Sequence, residues 1–238
     1  MKKKEGSMTE KIESLKITVI NDNEPGKNLK NDWGWSALIE SQKWKILFDA
    51  DTRNDVIENN IKALAINVLE INFAFLSHFH YDHYGGFEYI GRLRKGLKVY
   101  IPERDSILES WGLETIQVEK EAELSDNVYS TGPLGKLIKE HALVVKCDGF
   151  NVLVVGCSHP GIDKIARKAY EMVGKIHLVI GGFHGPSKNQ LDKLAMISEH
   201  ISPAHCSGDD AKNYVRENFK EKYLDVRTGS IIKLPIKL

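Results

Sequence analysis

The sequence predicts an α/β fold, and three features predict it. Apolar strand-like runs fall into two groups, one ending near residue 102 and one starting near residue 141. Segments with helical spacing lie beside both groups. The runs also lack the polar alternation of a sheet with one wet face, as strands do in sheets covered by helices. At 238 residues the chain can bury a large core in one domain. A single domain is expected over 15–238, behind a flexible N-terminal arm, 1–14, whose MKKKEGSMTEKIES is polar and charged.

In chain order, LKITVI (15–20), WSALIE (35–40) and WKILFDA (44–50) are rich in β-branched and apolar residues and read as strands. The polar NDNEPGKNLKNDWG between the first two reads as a surface loop. TRNDVIENNIKALA (52–65) opens on a Thr or Asp start signal and carries Val56, Ile57, Ile61 and Leu64 at helical spacing. INFAFLS (71–77) is a buried strand, GFEYIGRLRKG (86–96) a short helix and LKVYIP (97–102) a strand. Residues 103–139 are weakly patterned, with VYSTG a strand end and GPLGK a turn. HALVVKC (141–147) and FNVLVVG (150–156) pair as a hairpin around Asp148-Gly149. PGIDKIARKAYEMVG (160–174) is a helix with Pro near its start and Gly beyond its end. KIHLVIGG (175–182) is a strand and SKNQLDKLAMISEH (187–200) a helix. A short strand should lead to Ala204-His205, a helix start at Asp209 or Asp210, and a closing strand lie in RTGSIIKLP.

Composition narrows the functional classes. Lysine plus arginine equals aspartate plus glutamate at 33 each, so no global charge draws nucleic acid or an anionic membrane. A nuclease is disfavoured on the same ground, and a small-molecule substrate is expected instead. No apolar run approaches the roughly 20 residues of a membrane span, and the lysines at the start have no apolar stretch behind them. Cys147, Cys157 and Cys206 form no CxxC pair and leave an odd count, as reduced thiols of a cytoplasmic protein do.

The chemistry is concentrated in HFHYDHYGG (78–86), which follows an apolar run with three histidines and an aspartate in six positions. Alternate side chains of an extended segment share a face, so His78 and His80 can point together and supply half of a tetrahedral metal site. Asp82 and His83 come from the turn beyond and can hold a neighbouring ion. Gly85 and Gly86 supply the backbone freedom of a tight turn into a helix. His159 in GCSHPGI, His184 in GGFHG and His205 in PAHCSG each follow an apolar or extended segment, so six of the nine histidines sit in strand-end loops. Any one of the later three alone would be a structural histidine; behind HxHxDH the set reads as ligands.

HFHYDHYGG resembles the HxHxDH signature of the metallo-β-lactamase superfamily. ILFDAD, LSHFHYDHYGG, EHALVV, GCSHPGI, GGFH and PAHCSG together resemble its dihydropterin–ribofuranosylaminobenzene 5′-phosphate synthase-like branch, from about residue 15 to the end. The resemblance implies a four-layer αββα sandwich with metals, zinc by preference, in a cleft where the sheets meet at one edge. It implies that His78, His80 and His159 hold one ion and Asp82, His83 and His205 a second. Asp49 would then orient a ligand histidine by accepting its free N–H; the alternative is a turn residue or helix cap before TRNDV.

The pattern departs from the superfamily at one place. Where most members carry an aspartate that bridges both metals, this chain has His184, whose nitrogens each offer a single lone pair. Two divalent ions with Asp82 and neutral imidazoles would then carry about +3, against about +2 with a second carboxylate. Such a charge favours a more acidic bound water and anionic substrates, or else a weakly held second ion. Iron, manganese or nickel can occupy imidazole-rich sites. Oxygen-reducing relatives commonly carry glutamate at the place of His80, so the histidine favours redox-inert zinc chemistry. Cys157 and Cys206 lie next to candidate ligands; Cys206 is a further ligand candidate, and the alternative for both is a small residue packed below the site. His141 is expected to line the cleft, and His177 and His200 to be structural.

The reading that follows is metal-assisted hydrolysis of a small anionic ester or phosphoester by a metal-activated hydroxide. Asp82 would anchor the nucleophile and accept its proton, and His184 or His205 would stabilise the developing oxyanion. The runner-up is a transferase joining a pterin methyl diphosphate to a phosphorylated ribosyl-aminobenzene, with Trp33, Trp35 and Phe79 as ring-stacking candidates. A non-catalytic metal or nucleotide sensor is a third class, disfavoured by the intact ligand set.

Overall fold

The computed structural model describes residues 11–236. Its first half runs β1 (Leu15–Asn21), β2 (Ser36–Glu40), β3 (Lys45–Phe48), α1 (Asn54–Ala63), β4 (Phe73–Phe75), α2 (Tyr81–Tyr84), α3 (Phe87–Leu93), β5 (Lys98–Ile101), α4 (Ile107–Ser110) and β6 (Glu114–Gln117). The second runs β7 (Ala122–Ser125), β8 (Val128–Ser130), β9 (Leu143–Lys146), β10 (Asn151–Val155), α5 (Ile162–Val173), β11 (Ile176–Gly182), α6 (Lys188–Ile197), β12 (Ser198–Ala204), α7 (Asp209–Asn218) and β13 (Ile231–Leu234).

The strands form two mixed sheets, ordered β13-β1-β2-β3-β4-β5-β6 and β12-β11-β10-β9-β8-β7. Because side chains alternate across a pleated sheet, apolar strands fill two cores at once. Ile17, Val19, Ala37, Ile39, Ile46, Phe48 and Phe75 face Leu143, Val145, Val152, Val154, Leu178 and Ile180 between the sheets. Leu38, Leu47, Ala74 and Val99 turn outward onto Ile57 and Ile61 of α1 and Phe87 and Ile90 of α3. Val144, Leu153, Val155 and Val179 turn outward onto Ile165 and Ala169 of α5 and Leu191 and Leu194 of α6. The result is the expected αββα sandwich. No helix among the described residues is long and apolar enough to cross a membrane.

Three expectations change in detail. Of the arm expected over 1–14, residues 1–10 lie outside the described residues, while Ile12 is buried in the inter-sheet core and its carbonyl accepts from Asp148 N. The weakly patterned 103–139 contains α4, β6, β7 and β8, the last two an antiparallel pair with a register shift between Glu123 and Ser125. The helix expected over 187–200 ends at Ile197, and Ser198, Glu199 and His200 open β12, paired in parallel with β11. Helical spacing at 191–195 continued into SEH and hid the break, which a parallel ladder imposes from outside the segment.

Candidate metal centre

The centre lies where strands of both sheets end. β4 delivers Ser77-His78 and α2 delivers Asp82 and His83; β10 leads to Cys157 and His159, β11 to His184, and β12 to His205 and Cys206. α2 is stitched to the first sheet, since Ala50 N donates to the His83 carbonyl at 2.7 Å and Trp35 N to the Asp82 carbonyl at 3.2 Å. Gly85 and Gly86 serve differently from the expectation: both sit in the ordinary right-handed helical region, so neither is there for turn freedom. They are needed for close approach, because a Cβ on either would lie 2.0 Å from a carbonyl oxygen, of Thr52 and Ala50 respectively.

Two sets of donor atoms abut. Nitrogens of His78, His80 and His159 converge, with His159 Nε2 3.2 Å from both His78 Nε2 and His80 Nδ1. Asp82, His83 and His205 form the second set, with Asp82 Oδ2 3.3 Å from His205 Nε2 and 3.9 Å from His83 Nε2. His184 joins Cys157 and His159; among the described residues no such group unites it with Asp82, His83 or His205.

Proton positions are fixed from behind. Asp49, fully buried, accepts from Ser77 N and Ser77 Oγ at 2.7 Å each, and from His83 Nδ1 at 2.6 Å. Because Ser77 spends its hydroxyl proton on Asp49, its oxygen accepts from His78 Nδ1 at 2.9 Å. His205 Nδ1 donates to Asn23 Oδ1 at 3.0 Å. Each of these bonds leaves an Nε2 lone pair facing inward, the form a metal takes. Asp49 thus meets the His83 ring in the way the orienting reading expects, and it does not cap α1, whose N-cap is Arg53 with no side-chain cap bond.

The donor set fits a cation. Burial drives His78 well below the ordinary imidazole range and takes His83 and His159 down to about 4, so their rings are neutral near pH 7. Asp82 lies below the ordinary carboxylate range despite its partial burial and is ionised near pH 7, with Trp33 Nε1–H donating to its Oδ2. Among the described residues, buried His205 Nε2 has no hydrogen-bond partner, and such an orphan costs roughly 1–3 kcal/mol when nothing else satisfies it. The three ring nitrogens of His78, His80 and His159 lie within hydrogen-bond distance across His159 Nε2, an arrangement that a divalent ion can gather once they are deprotonated.

Further residues complete the centre that the sequence reading missed. Glu140, fully buried, accepts from the backbone N–H groups of Cys157, Ser158 and His159 at 2.8, 2.7 and 2.7 Å, and so holds the loop that carries the candidate donor His159. Burial raises its carboxyl to about 7 against those three donors. Asp22 Oδ1 accepts from His205 N at 2.6 Å, which assigns the NDN after β1 to the site instead of to a free surface loop. The available signals were a carboxylate in EHALVV and three polar side chains directly after an apolar strand. His141 does not line the cleft. It is fully buried, stacks on Phe75 at 4.0 Å and bonds the Leu76 carbonyl at 2.8 Å. Of the three aromatics, only Trp33 reaches the site, donating Nε1–H to Asp82 Oδ2 at 2.9 Å while more than half exposed; Trp35 and Phe79 belong to the cores. His177 pairs with Glu199 at 2.6 Å and packs on His200 away from the centre.

Beside His159 and His184 opens a groove of about 600 Å³, walled by Leu134, Leu137, Ile138 and Pro160, with Lys136 and Lys164 on its lining.

Comparison with known proteins agrees with this geometry. Residues 34–167 match the family described as the metallo-beta-lactamase superfamily. A 7,8-dihydropterin-6-methyl-4-(beta-D-ribofuranosyl)-aminobenzene-5′-phosphate synthase of Methanocaldococcus jannaschii is 29% identical, over 94% of this chain and 98% of that protein. The crystal structure of Tm1679, described as a metal-dependent hydrolase of the beta-lactamase superfamily, superposes with a TM-score of 0.77 at 26% identity, over 93% of this chain and 99% of that one. The metallo-beta-lactamase fold protein YhfI of Bacillus subtilis shares the fold with a TM-score of 0.66 at 12% identity, over 93% of this chain and 100% of that one.

Proposed function

We propose that this chain, which belongs to the metallo-beta-lactamase superfamily, is a metal-dependent hydrolase of a small anionic ester or phosphoester. The observation that carries the reading is the pair of abutting donor sets beside a groove open to solvent. His78, His80 and His159 would hold one ion and Asp82, His83 and His205 a second, and imidazole-dominated ligation suits zinc. When bound, the metal supplies a nucleophile by acidifying water and polarises the electrophile.

The chain's own groups do the rest. Asp82, ionised and only partly buried, would anchor the nucleophile, and Trp33 Nε1–H donates to its Oδ2. His184, exposed, with its ring centroid 4.4 Å from that of His159, is placed to hydrogen-bond an oxyanion on the groove side. Lys136 and Lys164 favour an anionic substrate, and the apolar wall suits a substrate with a hydrophobic portion.

The test is metal analysis of protein purified without chelator, followed by a screen against phosphodiesters, thioesters and lactones, each with and without chelator. Two zinc equivalents and chelator-sensitive hydrolysis, both abolished in His78→Ala, are expected. Hydrolysis that survives in metal-free His78→Ala defeats the reading.

A transferase is the second reading, supported by the 29% identical synthase. In that case the two donor sets and the lysines would bind a leaving diphosphate, and the groove a flat ring. Diphosphate release that requires an aminobenzene acceptor distinguishes it from hydrolysis.

A further inference from the structure

Cys157 is 3% exposed, yet it is the member that three of the five candidate donor groups among the described residues have in common. Its sulfur lies within 4.8 Å of ligand atoms of His78 and His83 in one group, His159 and His184 in a second, and His205 and Cys206 in a third. The nearest is His83 Nε2 at 3.1 Å. Cys206 Sγ, 3.2 Å from Cys157 Sγ, is grouped only with Cys157 and His205. Cys157 therefore stands at the junction of the two sets, and Cys206 at one side.

Charge makes the junction significant. Asp82 is the one carboxylate among the two sets, too little negative charge for two divalent ions. His184 adds none and is not grouped with the second set. A thiolate adds one negative charge, and its sulfur has lone pairs enough to serve two ions, which an imidazole nitrogen lacks. A second sign is compatible with the same place: His205 Nε2, buried and among the described residues without a hydrogen-bond partner, belongs both to the Asp82/His83/His205 set and to the group that Cys157 completes. The backbone holds the sulfur there firmly, since Cys157 N donates to Glu140 at 2.8 Å.

We propose that Cys157 is itself a metal ligand, a thiolate joining the His78/His80/His159 set to the Asp82/His83/His205 set. The inference rests on the metal-centre reading above. On binding, the S–H bond gives way to a sulfur–metal bond and the proton leaves to solvent. No electrons are transferred, and Cys206 remains a thiol beside it. A sulfur at the junction would also tilt the centre toward zinc, cobalt and ferrous iron over magnesium and manganese.

The experiment is cobalt substitution of the full chain, read by absorption spectroscopy and by X-ray absorption at the cobalt edge. Visible d–d bands report that cobalt is bound at all, and a near-ultraviolet thiolate-to-cobalt band reports sulfur ligation. The expected result is both bands in the native chain. The thiolate band should disappear in Cys157→Ser and persist in Cys206→Ser and Cys147→Ser. Sulfur scattering in the first shell of the native chain gives the same answer if Cys157→Ser fails to fold. Visible bands without sulfur ligation overturn the inference and leave the metal centre standing, as does a thiolate band that survives Cys157→Ser. Absence of any cobalt uptake overturns both.

Discussion

Asp49→Asn isolates the hydrogen-bond network from the candidate donors themselves. The carboxylate accepts three hydrogen bonds, from Ser77 N, Ser77 Oγ and His83 Nδ1, at 2.7, 2.7 and 2.6 Å. An amide keeps one acceptor oxygen, enough for Ser77 N, and turns its NH2 toward the other two donors. Ser77 can rotate its hydroxyl and accept, but His83 cannot, and its ring is freed to carry the proton on Nε2. Losing one charge-assisted bond costs about 1.5–3 kcal/mol. Removing a buried charge offsets much of that, because burial already pushes the Asp49 carboxyl well above its ordinary range. Stability of the metal-free protein should therefore change little. Metal binding should suffer, since the wrong tautomer must be reversed each time, and affinity should fall about 10–100-fold. That is about 1.4–2.8 kcal/mol. Competition against a chromophoric chelator measures it, with urea unfolding of the metal-free variant as the stability control. Unchanged affinity for both equivalents would show that the His83 tautomer is set by something other than Asp49.

Other perturbations probe the frame around the centre. Burial takes His141 down to about 3 from the ordinary 6.5, so its stabilising contribution is complete above about 6.5 and is lost as pH falls toward 3; a loss on the order of 5 kcal/mol follows. Metal-free His141→Gln should show a shallower decline in urea midpoint between pH 7 and pH 4, and an identical decline would exclude this residue as the cause. Phe75→Ala removes a ring stacked between Phe48 and His141 at 5.3 and 4.0 Å, and should cost about 3–5 kcal/mol by urea unfolding. Gly86→Ala would place a methyl 2.0 Å from the Ala50 carbonyl oxygen and 2.7 Å from Ile57 Cγ1. It should destabilise by about 1–3 kcal/mol and weaken metal binding as α2 shifts; a variant as stable as the parent would show that the turn yields freely.

What was legible in the sequence followed from local chemistry. Continuous apolar strands called for helices on the outer faces, and Ile39 facing Leu143's layer while Leu38 faces α1 and α3 is that demand met residue by residue. HxHxDH and the later loop histidines were legible because few structural roles crowd imidazoles at strand ends. The failures share a different cause. Glu199 and His200 continue a helical pattern yet lie in β12, because the ladder that claims them comes from β11. β6 and β7 are half exposed, so their burial pattern is faint. His141, expected at the cleft, supports the core, while its neighbour Glu140, for which the sequence suggested no role, supports the site; only three-dimensional neighbours distinguish them.

Backbone conformation marks the same centre from another side. Asp49, Asp51, Ser158, His184 and His205 all have positive φ, in a region where glycine or asparagine is the usual occupant. A sequence rule therefore looks for turns elsewhere. Such conformations persist only where surroundings over-determine them. Here Glu140 gathers three N–H groups of the 157–159 loop, and Asp22 with Asn23 grips both the backbone and the ring of His205. The strain thus marks places where a side chain is held at an angle the chain would not choose, and at four of those five positions it sits on or beside a candidate metal donor. Buried carboxylates bonded to ligand-loop amides are consequently a second signature of this centre, one that a search for histidine motifs alone passes over.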